Sequence, residues 1–300
     1  MSLLTFVKQP EVAARLKPFL PKVSRTLPVS LRAVPRTGNF ARVGTAFDYL
    51  LRFEIQRRAP HARAWPWVAE EALNLLRVGR IVFVSKSETM SVSDNLVRRA
   101  CEVVKQARAT VADFVVKKRA SSRDREEAAF HALRLASLDT YLRRRYLDWQ
   151  FDQVDPQDIQ DLLNLLAIVP FPALIDPTVL LLNPTFGNSS RLVGGADADL
   201  ITGSTVIDIK TKKHAVWTPP DFNQVLGYLV LARNERRTKR AFPVLNRIGI
   251  YFSRHGHLWT CDVASMVRTK AFREVERWFL KRAEAQSTAV QHPPPSDPAA

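Results

Sequence analysis

The sequence predicts a mixed α/β protein with a helical first half and a β-rich second half. Two observations support this. Between residues 41 and 169, apolar residues recur at intervals of three and four positions, the spacing of amphipathic helices. After Pro170, short β-branched runs separated by turn residues take over, interrupted by one long amphipathic helix. The chain is 46% hydrophobic and 25% charged, which is typical of a globular protein with a sizeable core.

The elements follow in order. Residues 1–40 combine scattered prolines with many basic residues and predict an irregular basic arm around one short helix near residues 11–20. Residues 41–169 form the helical region, whose last helix starts with Asp155 as N-cap. Residues 170–285 form the β-rich unit, and the proline-containing residues 286–300 predict a disordered tail. Within the β-rich unit we predict strands at 173–182, 191–201, 205–211, 246–254 and 257–263, and helices at 221–237 and 265–285.

The charge balance points to a polyanionic partner. A net charge of +16 and a pI near 10.3 favour nucleic acid as that partner. No run approaches the roughly 18 apolar residues of a membrane span, and the N-terminal segment lacks a secretory apolar core, so we expect a cytoplasmic protein with no membrane contact. Cys101, Cys261 and the six histidines lack metal-site spacing. No GxxxxGK(S/T) loop occurs, so any motor would be a separate partner.

One hairpin concentrates charged residues. Gly203–Ser204 suits a tight two-residue turn, and symmetric pairing about it places Asp199 opposite Asp208 and Asp197 opposite Lys210. Because side chains alternate along a strand, these four residues project from one face of the sheet. The opposite face is predicted to be apolar and consists of Ala196, Ala198, Leu200, Ile207 and Ile209.

Two carboxylates directly opposite each other destabilise a sheet unless a cation lies between them. Mg²⁺ (or Mn²⁺) prefers oxygen ligands and often takes only one or two carboxylates together with water and substrate phosphate. We therefore predict that Asp199 and Asp208 bind the metal. Lys210 would orient or activate a water and stabilise charge developing on phosphorus. The alternative is that these charges line a solvated sheet face.

The motifs resemble those of a known family. GADADL at residues 195–200 and IDIKT at residues 207–211 resemble the split D…(D/E)-x-K signature of the PD-(D/E)XK nuclease superfamily, particularly the branch that includes the RecB nuclease domain. That branch carries a Gln-x-x-x-Tyr motif on the next helix, and here QVLGY occupies residues 224–228. The resemblance covers roughly residues 188–262 and implies a restriction-endonuclease-like core of mixed β-sheet flanked by helices. No proline precedes the first-strand aspartate, so the literal "PD" is absent.

The resemblance also implies roles for individual residues. It makes Asp199 and Asp208 the metal ligands and Lys210 the catalytic lysine. Asp197 is an alternative ligand or a partner of Lys210. Gln224 and Tyr228 share a helix face and are expected to reach the pocket or the DNA backbone. The alternative for this last pair is a core tyrosine whose neighbouring glutamine satisfies a buried polar group.

Members of this branch also place an acidic residue or a histidine on an early helix near the metal. Residues 43–54 resemble such a helix, with Glu54 as the candidate ligand and Asp48 behind it. The alternative is that Glu54 pairs with Arg57 or Arg58 on a solvated face. Glu70 and Glu71 are also candidates for this upstream ligand, and the sequence alone does not distinguish them from Glu54.

The expected function is therefore Mg²⁺-dependent hydrolysis of DNA phosphodiester bonds, with RNA as a variant because phosphate contacts do not distinguish the two sugars. The alternative is a catalytically inert nuclease-fold protein that binds nucleic acid or serves as an assembly subunit.

Overall fold

The structure is a computed structural model that describes residues 2–79, 81–83, 89–144, 146–238 and 242–291. It is mixed α/β. The helices are α1 (Leu3–Val7), α2 (Pro10–Leu16), α3 (Phe40–Arg58), α4 (Val68–Val78), α5 (Asp94–Val115), α6 (Ser122–Arg144), α7 (Pro156–Ala167), α8 (Phe171–Leu174), α9 (Asn188–Leu192), α10 (Pro219–Thr238) and α11 (Lys270–Gln291). The strands are β1 (Arg63–Ala64), β2 (Ile81–Phe83), β3 (Thr89–Ser91), β4 (Leu180–Leu182), β5 (Leu200–Thr202), β6 (Thr205–Lys210), β7 (Arg247–Phe252) and β8 (His257–Asp262).

Six strands form one mixed sheet in the order β1-β4-β5-β6-β7-β8, and β2 pairs with β3 in a separate hairpin. The β4-β5-β6 segment is antiparallel, whereas β6 and β7 are parallel and are joined through α10. This βαβ unit runs α10 back across the sheet, so the first turns of the helix lie beside the carboxyl end of β6.

The sheet has a hydrophobic core on each face. On one face, the helical-side core joins α3–α7 to sheet residues such as Leu200, Ile207 and Tyr251. On the other, the α10-side core joins α1, α2, α10 and α11 to sheet residues such as Ile201 and Val206. The helical-side core therefore crosses the boundary predicted at residues 169/170.

The N-terminal arm differs from the prediction of one helix near residues 11–20. It contains α1 and α2, and α2 begins at Pro10, since proline fits the first helical position, where its missing N–H is not needed. Phe6 and Leu16 are fully buried in the α10-side core. The Phe6 ring packs edge-on against the Phe279 ring of α11, with centroids 4.9 Å apart. The arm is therefore held down by packing.

The helical region follows the predicted pattern, and the predicted cap is confirmed, because Gln157 N–H donates to the Asp155 side chain at 2.8 Å. The region also contains strands β1, β2 and β3, which were not predicted. Helix α11 continues to Gln291, so the disorder predicted from residue 286 is wrong for residues 286–291. Residues 292–300 lie outside the described residues. No helix in the described ranges is long and apolar enough to cross a bilayer.

The predicted hairpin register is confirmed. Thr202 pairs with Thr205 and Leu200 with Ile207 around a turn in which Gly203 has φ 54°. The strands predicted at 173–182 and 191–201 are shorter than expected. Positive φ values at Gly187, Gly194 and Gly195 turn the chain, and short helices α8 and α9 replace the first part of each segment.

The pairing predicted between Asp197 and Lys210 is wrong. The β5–β6 ladder ends at Leu200 and Ile207, and Asp197 instead bridges to Thr185. The reason is a backbone hydrogen bond from Ala198 N–H to the Pro184 carbonyl, 3.1 Å long, which ties the segment to the chain beyond β4. The predicted single apolar face is split as well, because Ala196 and Ala198 lie in the α10-side core whereas Leu200 and Ile207 lie in the helical-side core.

Candidate active site

Asp199 and Asp208 meet where the β5–β6 ladder stops. Asp208 is 2% exposed and Asp199 is half-buried. The Asp199 carboxylate takes the place of a backbone acceptor, because Ile209 N–H donates to its Oδ2 at 2.6 Å. This side-chain hydrogen bond fixes the orientation of the Asp199 carboxylate beside strand β6.

The pKa of each carboxylate is raised. Burial, followed by the charge of Asp208, raises the pKa of Asp199 to about 7. Burial also raises the pKa of Asp208, against the opposing attraction of Lys210. A close pair of this kind titrates as a unit and favours the presence of a shared proton or a bound cation.

Lys210 lies beside Asp208. Its Nζ is 2.7 Å from Asp208 Oδ2 and donates to Gln224 Oε1 at 3.0 Å, and Asp221 Oδ1 is 3.8 Å away. Burial lowers the pKa of Lys210, but Asp208, Asp221 and Asp199 outweigh it, so the net pKa is raised. Lys210 is therefore an ammonium that can donate hydrogen bonds and stabilise negative charge, and it cannot serve as a neutral base near pH 7.

Helix α10 brings both residues of the Gln-x-x-x-Tyr motif to this point. Gln224 Nε2 donates to Tyr228 Oη at 2.7 Å, and the Tyr228 ring stacks on Phe186 with centroids 5.6 Å apart. Burial, then the charges of Asp208 and Asp199, raise the pKa of Tyr228, which stays a neutral phenol. Tyr228 is therefore a core tyrosine, as in the alternative given above. Gln224 also connects it to Lys210 through hydrogen bonds to both side chains.

Sequence reasoning missed Asp221 and Lys212. Asp221 is 7% exposed, accepts hydrogen bonds from Thr218 N–H and Oγ1 at 2.8 and 2.7 Å, and pairs with Lys212 Nζ. The signal was present, because Thr-Pro-Pro-Asp at residues 218–221 has the spacing of a helix N-terminal capping box. Asp221 thus ends the first turn of α10 with a fixed carboxylate next to the Lys210 ammonium.

Glu54 does not lie with Asp199 and Asp208. It is fully buried and pairs with Arg57 at 2.6 Å and with Arg58 at 2.9 Å. Burial raises the pKa of Glu54, but the two arginines outweigh this and the net pKa is lowered. The pairing alternative for Glu54 is confirmed, although in a buried setting instead of a solvated one.

Other acidic residues lie closer to the site. Burial, then the charge of Asp197, raises the pKa of Glu71 on α4, which places these two carboxylates near each other. Asp197 in turn contributes to the raised pKa of Asp199. Glu70 points elsewhere, because it binds Arg108 at 2.5 Å and accepts the Trp67 N–H at 3.0 Å.

Asp48 is half-buried and lies one helical turn after Gly44 on α3. Gly44 packs close to the end of β6, since a Cβ on it would lie 3.6 Å from Thr211 Cβ. Asp48 is therefore one helical turn from the residue of α3 that packs against the end of the strand carrying Asp208 and Lys210.

Within the described parts of the chain, no three His, Cys, Asp or Glu side chains are grouped as a ready metal-ligand set. Comparisons of the chain with protein-family models, curated proteins and solved structures find no match. The functional argument therefore depends on the residues and contacts of this site.

Proposed function

We propose that this chain is a Mg²⁺-dependent (or Mn²⁺-dependent) nuclease that hydrolyses DNA phosphodiester bonds, with a restriction-endonuclease-like core formed by the mixed sheet and its flanking helices. The observation that supports this best is the convergence of Asp199, Asp208 and Lys210 from neighbouring strands with Gln224 from the following helix. Motifs that are separate along a chain need not meet in the fold. The contact between Lys210 and Gln224 is therefore support in addition to the sequence resemblance.

The residues fit a divalent metal. Asp199 and Asp208 are neighbouring carboxylates, the first half-buried and the second buried, and the pKa of each is raised. Asp208 Oδ2 is buried and has no partner with hydrogen-bond geometry, although Lys210 Nζ is near. Mg²⁺ needs only one or two carboxylates when water and phosphate complete its shell, so Asp199 and Asp208 would hold it. Asp197 adds negative charge near Asp199, and Glu71 lies near Asp197.

When bound, Mg²⁺ supplies Lewis-acid stabilisation of the reacting phosphate and promotes the ionisation of water. The Lys210 ammonium donates a hydrogen bond toward the attacking water or a phosphate oxygen and stabilises charge that develops in the transition state. Gln224 holds Lys210 through its Oε1 and is itself held by Tyr228. Asp221, 3.8 Å from the ammonium, restrains Lys210 from the other side.

The substrate class follows from charge. A net charge of +16 favours a phosphate backbone over a neutral ligand, and most contacts of proteins with DNA go to that backbone. The proposed substrate is therefore DNA, and RNA is tested alongside it.

The proposal is tested by incubating the purified protein with linear and circular DNA, single- and double-stranded, and with RNA, in Mg²⁺, in Mn²⁺ and in EDTA. We expect metal-dependent cleavage that Lys210→Ala abolishes and Lys213→Ala retains. Lys213 is a matched control, because it is an exposed lysine three residues away whose loss changes the net charge equally.

Cleavage at the wild-type rate by both Lys210→Ala and Asp208→Ala would refute the assignment of this site. If the wild-type protein cuts none of the substrates and no heat of Mg²⁺ binding is measured, the inert binding or assembly subunit replaces the nuclease as the better account.

A further inference from the structure

A cavity of about 470 Å³ lies at the β1 edge of the sheet that carries the site described above. Strand β1 and the residues around it supply one wall, with His61, Arg63 and Trp65. Strand β4 supplies the floor, including Leu181, and the segment after α10 supplies Phe242. Thr185, which bridges to Asp197, is also part of the wall, so the cavity extends to the strand neighbouring Asp197.

The strand register connects the cavity to the two carboxylates. Ala64 pairs with Leu182, and Trp65 N–H donates to the Leu182 carbonyl at 3.1 Å, so Trp65 lies beside Asn183. Asn183 N–H donates to the Asp199 carbonyl at 3.0 Å. Trp65, Asn183 and Asp199 thus form one row across the sheet. Since adjacent strands are about 4.8 Å apart, Trp65 is two strands, or about 10 Å, from Asp199.

The cavity also opens on the same face as the site. Residues paired directly across strands project from the same side of a sheet. Arg63 pairs with Leu181, and Leu181 packs against the α10-side core together with Ile201. Asp208 lies on that side too, because its partner Lys210 reaches Gln224 of α10.

The walls have the chemistry that an unpaired nucleobase requires. Trp65 is half-buried, and the guanidinium of the exposed Arg63 lies over one face of the Trp65 ring, 4.9 Å from the ring centre. An aromatic face that stacks a base, beside a cation that attracts the backbone, is the usual combination in single-strand binding proteins. Glu235, the acidic residue in the wall, is only 3% exposed.

We infer that this cavity is a subsite for an unpaired nucleobase of the substrate strand, stacked on Trp65 with its phosphate near Arg63. The inference rests on the proposed nuclease function and specifies its substrate as a single strand or the opened end of a duplex, because paired bases have no free face to stack. A distance of about 10 Å corresponds to about three stacked nucleotides, so the base lies within about three positions of the bond that is cut.

Binding is measured first without metal, so that no cleavage occurs. A fluorescently labelled single-stranded DNA oligonucleotide, its RNA counterpart and the DNA duplex are titrated with protein in EDTA and followed by anisotropy. Trp65→Ala is expected to raise the single-strand Kd by about 5- to 140-fold, the range found for the loss of one stacked base. Trp65→Phe should retain most of the affinity, and the duplex should lose less than the single strand. Trp149→Ala is the matched control, since Trp149 is 61% exposed and distant in sequence.

A second measurement separates stacking from a structural role of Trp65. The oligonucleotide is made with one abasic position at a time. For the wild type, removal of the base at one position should weaken binding as much as Trp65→Ala does, whereas for Trp65→Ala removal of the same base should have no further effect. If Trp65→Ala were simply unfolded, it would bind every oligonucleotide poorly and its thermal melt would show no folding transition. The abasic scan would then be repeated with Trp65→Phe in place of Trp65→Ala.

Equal affinities of wild type and Trp65→Ala for the single strand, or an abasic scan that shows no position coupled to Trp65, would overturn the subsite. If this occurs while Lys210→Ala still abolishes cleavage, the nuclease stands without the subsite. If the coupling is found but the wild type never cleaves, the subsite stands in a binding protein and the nuclease proposal fails.

Discussion

Replacing Asp199 by asparagine should make the metal-free protein more stable while abolishing its proposed activity. The wild-type carboxylate is paired with Asp208, and burial together with that charge raises its pKa from 3.8 to about 7. Each pKa unit corresponds to about 1.36 kcal/mol, so the shift sets a ceiling of about 4 kcal/mol. Asp199 is partly exposed and asparagine loses the attraction of Lys210, so we expect a gain of about 1–3 kcal/mol at pH 8. Asparagine can still accept the hydrogen bond from Ile209 N–H.

The sign of the pH dependence follows from the raised pKa. Between about pH 4 and pH 7 the folded wild type holds a proton on Asp199 that the unfolded chain releases, so wild-type stability falls as pH rises through this window. The advantage of Asp199→Asn should therefore be small at pH 4.5 and full at pH 8. At about 2 °C per kcal/mol, the Tm gain at pH 8 would be about 2–6 °C.

The assay is urea denaturation at both pH values in EDTA, followed by thermal melting with and without Mg²⁺. Mg²⁺ should raise the Tm of the wild type and leave that of Asp199→Asn unchanged. Asp262→Asn, at an exposed position of β8, is the control and should change stability little at either pH. A variant less stable than the wild type at pH 8, or one equally stabilised at pH 4.5 and pH 8, would refute the reasoning.

Three further predictions concern acidic residues outside the Asp199–Asp208 pair and the ion pairs that they form. Glu54→Gln should destabilise the fold by up to about 3–5 kcal/mol, because it removes the carboxylate that neutralises Arg57 and leaves that guanidinium with the Lys117 and Lys118 carbonyls. The calorimetric Mg²⁺ affinity should stay the same, and a lost affinity would return Glu54 to the proposed metal site. Arg254→Met should cost about as much in urea denaturation, because Asp161 and Arg254 are each 1% exposed and bonded at 2.8 Å, and adding Asp161→Leu should restore most of the loss. Glu71→Gln should weaken Mg²⁺ binding severalfold, since Glu71 contributes charge beside Asp197, and an unchanged affinity would exclude it from the site.

The elements that local signals specify were predictable. Helical periodicity located the helices of the first half, Asp155 and its following proline marked the start of α7, and Gly203–Ser204 fixed the β5–β6 register. Strand β1 was not predictable, because two residues cannot show an alternating pattern.

The candidate site was predictable in part. The hairpin register placed Asp199 beside Asp208, and helical spacing placed Gln224 with Tyr228. The position of Asp197 depends on positive φ values at Gly194 and Gly195 and on the hydrogen bond from Ala198 to a residue beyond β4. Neither feature can be predicted from the symmetry of the hairpin. The choice among Glu54, Glu70 and Glu71 depends on how α3 and α4 pack, which sequence spacing along each helix does not determine.

Strand β1 has a consequence for any attempt to move the chemistry into another protein. It comes from the helical half of the chain yet forms one edge of the sheet that carries Asp199 and Asp208. A fragment beginning at residue 170 would leave the hydrogen-bonding edge of β4 open and would uncover Leu200, Ile207 and Tyr251, a combination that promotes edge-to-edge aggregation. The β-rich half that carries the proposed site is therefore not expected to fold by itself, and a transplant of it would have to include residues 40–169.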